Sequence, residues 1–140
     1  MKYQFIEDLT SDVMFESYGK DLKGLFSNSA EALFEIICKI EKVVPSKEIT
    51  IHASANSEQE LLYEWLSTLL TESEIEGLFF NKFEVETIEE QNGKFSLTGK
   101  AWGEEFSVEK GETVVKAVTY YGFKLEKTEE GYLARVAMDI

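Results

Sequence analysis

Apolar residues recur along the first half of the chain at steps of three and four. Leu22, Leu25, Phe26, Ala30, Leu33, Phe34, Ile37 and Ile40 fall on one face of a helix predicted from Asp21 to Ile40. A second stripe, Leu61, Leu62, Trp65, Leu66, Leu69 and Leu70, predicts another helix. Ser57 with Glu60 three residues on forms a capping box at its start. Between them Pro45 ends the first helical region, and the alternation in Ile49-Thr50-Ile51-His52-Ala53 predicts a short strand.

Elsewhere the period is two. Tyr3 to Ile6 and Val13 to Tyr18 read as strands around Asp8-Leu9-Thr10-Ser11-Asp12, a cluster of turn-forming residues. Phe83 and Val85 alternate with glutamates, Asn92-Gly93 is a hairpin signal, and Phe95, Leu97 and Gly99 alternate with polar residues. Strands are also expected from Val114 to Tyr120, from Gly122 to Lys127 and, after the Glu129-Glu130-Gly131 turn, from Tyr132 to Ile140. The expectation is an α+β fold with two helices packed on a mainly antiparallel sheet. Neither a Pro/Gly-rich linker nor a repeat interrupts it, so residues 1–140 are expected to form one domain.

Charge narrows the choice of partner. Twenty-seven acidic against fourteen basic residues give a formal charge of -13, which repels phosphate backbones and anionic lipids and attracts basic surfaces. Direct nucleic-acid binding is not expected. Neither a signal peptide nor a membrane-length apolar run is evident, and the lone Cys38 offers no internal disulfide; a cytoplasmic monomer is expected.

The same residues argue against an active site. His52 and Cys38 are the sole histidine and cysteine, which leaves no nucleophilic triad and no tetrahedral zinc set. His52 reads as a half-exposed strand residue, and Cys38, Trp65 and Trp102 read as core. Phosphate-binding glycine loops are absent. Glu104 and Glu105 in Trp102-Gly103-Glu104-Glu105-Phe106 are adjacent on a strand and so face opposite ways, which suits a solvated edge better than joint acid/base work.

One constellation remains: Asp12 in the early turn, Asp139, and the α-carboxylate of Ile140. Three exposed acids are the ordinary reading. The alternative is a site for a hard cation, Ca²⁺ or Mg²⁺, because the last strand, apolar at Tyr132, Ala134, Val136 and Met138, would tie the chain end into the sheet. Lys116 reads as a surface lysine, or as a cation balancing those acids.

Several blocks, in order, carry a family resemblance. They are Thr10-Ser11-Asp12-Val13 with Ser17-Tyr18-Gly19-Lys20-Asp21-Leu22, Leu61-Leu62-Tyr63-Glu64-Trp65-Leu66, Trp102-Gly103-Glu104-Glu105-Phe106, Val115-Lys116-Ala117-Val118-Thr119-Tyr120, and Asp139-Ile140. Nearly end to end, the chain resembles the archeases, small proteins that assist the GTP-dependent RNA ligase of tRNA splicing (the RtcB type). The resemblance implies an activator and not an enzyme: a protein that promotes guanylylation and turnover of the ligase and carries a metal at Asp12, Asp139 and Ile140. The implied cation is Ca²⁺, with Mg²⁺ or Mn²⁺ as alternatives. The chain departs from the family at Leu9 and Tyr121, where many members carry histidine, at Ser11, where alanine is usual, and at Val114, where glutamate is frequent. A stand-alone metal-binding protein or metal-dependent hydrolase is the competing expectation.

Overall fold

The computed structural model describes residues 1–7 and 12–140. Among the described residues, two helices and seven strands appear in the order β1 (Tyr3–Ile6), β2 (Val13–Gly19), α1 (Leu22–Ile37), β3 (Lys47–Ala55), α2 (Glu58–Glu76), β4 (Leu78–Gln91), β5 (Lys94–Glu105), β6 (Ala117–Thr128) and β7 (Gly131–Asp139). A single 3₁₀ turn, Ile40–Lys42, follows α1. The expected α+β class holds, with one refinement: the strands form two antiparallel sheets, β1-β2-β7-β6 and β3-β5-β4.

Local chemistry explains both helices. At the start of α1 the Asp21 side chain accepts from the Gly24 N–H at 2.7 Å, and at the start of α2 Ser57 Oγ accepts from the Glu60 N–H at 3.1 Å, so each cap satisfies an N–H the helix leaves open. Gly77, at φ 65°, ends α2 in the left-handed region that glycine enters without cost. Helix α1 stops three residues before the predicted Ile40. Cys38 turns extended there and bridges Gly111, and Lys39 N–H donates to Lys110 O.

Each helix touches both sheets. Helix α1 packs on β2 and β4, and α2 packs on β3 and β6. A continuous apolar core, including Phe15, Phe26, Phe34, Trp65, Phe80 and Val136, therefore joins the two sheets through the helices. Trp65 is fully buried as expected, and its Nε1–H donates to Phe26 O at 3.0 Å, which ties α2 to α1. The buried hydroxyls of Ser17 and Ser29 bond each other at 2.7 Å, and Ser73 Oγ donates to Leu78 O at 2.6 Å, so these polar groups are buried without loss of hydrogen bonds.

Strand β4 is longer than the predicted Phe83–Val85 core of the hairpin and carries register shifts between Phe80 and Lys82 and between Val85 and Thr87. Gly103, opposite the first of these, lies so close to β4 that a Cβ would sit 1.8 Å from Phe79 O. We predict that Gly103→Ala lowers the unfolding free energy by about 1–3 kcal/mol or more, measured by urea denaturation, because the β4–β5 ladder must open to admit the methyl group.

Candidate functional site

Strand β7 lies inside its sheet, between β2 and β6, and is paired on both edges to its last residues. Val13 is opposite Met138, and Ala117 is opposite Asp139. The Lys116 N–H donates to Asp139 O at 2.7 Å and closes the ladder at the end of the chain. The expectation that the last strand is stitched into the sheet up to its terminal residues is met.

This register brings the sequence-predicted residues to one edge of the fold. Asp12 immediately precedes Val13 and Asp139 immediately follows Met138, so the two aspartates flank the same rung of the β2–β7 ladder. Asp12 is half-buried, whereas Asp139 and Ile140 are exposed. The predicted turn residues Asp8 to Ser11 lie outside the described residues, as does Leu9. Two aspartates and a main-chain carboxylate supply oxygen donors only, which fit a hard divalent ion. Among the described residues, no group of three His, Cys, Asp or Glu side chains could hold a metal.

Lys116 is exposed and adjoins Asp139 through its backbone, so it borders the tip without being part of the core. Four positions inward from Asp139, Arg135 Nη2 donates to Glu16 Oε2 at 2.9 Å, and Tyr18 OH donates to Glu16 Oε1 at 2.9 Å. The bond from Arg135 holds the Glu16 carboxyl below its ordinary value of 4.5, against the opposing effect of burial. Sequence reasoning missed this pair because the partners are 119 residues apart and only the β2–β7 register unites them.

The other candidates behave as ordinary structure. His52 is exposed on β3, with Ile51 buried and Ala53 packed against the core. Cys38 is buried, and desolvation pushes its thiol up to about 12, so it is inert as a nucleophile. Trp102 is not core. It is half-buried, Lys82 Nζ sits 4.6 Å from its ring centroid, and its Nε1–H donates to Glu48 Oε1 at 3.1 Å. Glu104 pairs with Lys110 and Glu105 with Lys47, so each carboxylate has a separate partner, as a solvated edge requires.

The archease protein family model matches residues 3–140. The chain belongs to the archease family. The archease of Methanosarcina barkeri is 36% identical, with 99% of this chain and 96% of that protein covered. That of Pyrococcus furiosus is 40% identical, with 94% of each covered. Among solved structures, the solution structure of protein 1598 of Methanobacterium thermoautotrophicum superposes with a TM-score of 0.84 at 31% identity, covering 99% of this chain and 98% of that one. The crystal structure of an archease from Thermotoga maritima, described as a possible chaperone, shares the fold at a TM-score of 0.62 and 17% identity, covering 96% of this chain and 95% of that one. No helix among the described residues of this family member is long and apolar enough to cross a membrane.

The Glu16–Arg135 pair makes a pH-dependent contribution of known sign. Because folding lowers the Glu16 pKa, its stabilisation is complete above 4.5 and is lost as pH falls through the lower folded value. We predict that Glu16→Gln lowers Tm at neutral pH, and that thermal melts across the acid range show the difference from wild type shrinking as the carboxyl protonates.

Proposed function

We propose that this archease family member is an accessory protein that activates a GTP-dependent RNA ligase of the RtcB type, promoting attachment of GMP to the ligase and repeated turnover. The observation that carries the proposal is the end of β7, where the pairing of Asp139 with Ala117 and of Met138 with Val13 sets the chain terminus beside Asp12. An enzyme whose substrates are RNA and GTP presents a basic surface, and a chain of charge -13 is attracted to it while being repelled by the RNA itself.

Asp12, Asp139 and the carboxylate of Ile140 would hold the cation; their oxygens suit Ca²⁺, Mg²⁺ or Mn²⁺, and the archease resemblance points to Ca²⁺. A divalent ion held there would supply positive charge in or beside the ligase active site. The chain's own part is to fix the donors. The sheet holds Met138 through β2 and Asp139 through β6, so the chain is paired up to the residue before the terminal carboxylate, where chain ends otherwise fray.

Incubation with the ligase of the same source, GTP, divalent metal and cleaved RNA tests the activator role. Sub-stoichiometric amounts are expected to accelerate joining, and the protein alone is expected to join nothing. Hydrolysis or joining by the protein alone would favour the stand-alone enzyme. We predict that Asp12→Ala, or one residue appended after Ile140, abolishes activation while changing Tm little. The appended residue moves one charge along the chain without altering a side chain; full activation by both variants would remove the carboxylate tip from the mechanism.

A further inference from the structure

An apolar groove whose lining includes none of Asp12, Asp139 and Ile140 ends at Val115, the residue before Lys116. It has a volume of about 510 Å³ and lies between the C-terminal part of α2 and the segment from Phe106 to Val115. Phe79 forms its floor, and the Phe106 ring leans on it at 4.7 Å between centroids. Glu112 N–H and Thr113 N–H donate to Ile37 O and Ile36 O at 2.9 and 3.2 Å, which pins the outer wall to the end of α1. Val115 is buried beneath that wall. Val114 and Val108, however, are 80% and 100% exposed, and Phe106 is 48% exposed. Burying a valine or phenylalanine side chain is worth about 1.5–3 kcal/mol, so three such residues lining one depression form a surface suited to being covered.

The charges around the groove select what covers it. Glu74 on the α2 side and Glu112 on the opposite wall line it, and no lysine or arginine does. A second copy of this chain would bring the same carboxylates and a further charge of -13 against them. The wall also continues directly into Lys116, whose N–H is bonded to Asp139 O, so the groove leads up to the terminal tip. We infer that this groove is a docking site for a basic amphipathic segment of the protein partner, with large apolar side chains seated between Phe106, Val108 and Val114 and flanking lysines or arginines facing Glu74 and Glu112. The site's link to the ligase partner rests on the activator reading, through the bond from Lys116, next to Val115 of the groove, to Asp139 O. Its chemistry does not.

The test uses the full chain, labelled with ¹⁵N, and two synthetic peptides of about 15 residues with the same leucine and phenylalanine positions, one flanked by lysine and arginine and one by glutamate. The basic peptide is expected to bind saturably, with amide shifts centred on Phe106, Val108 and Val114. Its affinity should fall about tenfold in the double variant Glu74→Lys, Glu112→Lys and fall with added salt, while the acidic peptide binds at least about tenfold more weakly. Absence of basic-peptide binding, equal binding of both peptides, shifts centred elsewhere, or sedimentation showing dimers formed through this face would each overturn the inference. In the ligase assay, Val114→Asp is expected to raise the concentration needed for half-maximal activation about tenfold while leaving the maximum unchanged, whereas the tip variants lower the maximum. Because the peptide experiment contains no ligase, failure of the docking site and failure of the activator role are read separately.

Discussion

Strand β7 is paired along β2 on one edge and along β6 on the other, and the candidate site depends on that double pairing. A terminal strand at the rim of a sheet would leave its last carboxylate mobile. Here Met138 is fully buried while Asp139, the next residue, is exposed, so the chain passes from core to solvent within one step. The core contact of Met138 and the hydrogen bond from Lys116 to Asp139 O therefore set where the charge of Ile140 can lie. Local pairing supplies the position, and burial of the preceding residues supplies the energy that keeps it.

The helices complete the frame. Because α1 reaches β2 and β4 while α2 reaches β3 and β6, the sheet that carries the tip and the sheet that does not are parts of one packed unit. The segment between β5 and β6 runs along the end of α1 through the bonds of Glu112 and Thr113 to Ile37 and Ile36, then delivers Lys116 to Asp139. The apolar wall of the groove and the backbone contact that closes the tip are thus successive parts of one stretch of chain. A partner meeting both would be read twice, once by apolar and acidic complementarity and once by the carboxylates.

Much of this was legible in the sequence, for identifiable reasons. The stripes of α1 and α2 keep a helical period, Ser57 and Glu60 mark the second helix start, and the alternation of Tyr132, Ala134, Val136 and Met138 marks β7. The start of β4 was not legible, because Leu78, Phe79 and Phe80 are buried in succession and leave no alternation to read. Strand β6 reads as two pieces, since its register shifts between Thr119 and Lys124, around Gly122 at φ 61°. The division into two sheets depends on long-range pairing that no local pattern encodes. Trp102 looked like core because of its size, yet Lys82 and Glu48 hold it at the surface. At the site, Asp12, Asp139 and Ile140 could be named from the sequence, whereas the groove could not: Phe106, Val108 and Val114 are ordinary apolar residues until the fold leaves them uncovered.

The proposed role depends on the end of β7 and the residue before β2 together holding a divalent cation through Asp12, Asp139 and the terminal carboxylate. Titration of Ca²⁺ into the ¹⁵N-labelled protein, free of any partner, tests it most directly. Saturable shifts of one-to-one stoichiometry are expected, concentrated at Asp12, Val13, Asp139 and Ile140 and reversed by a chelator. Shifts spread over the acidic surface without saturation, or centred away from these residues, would contradict it.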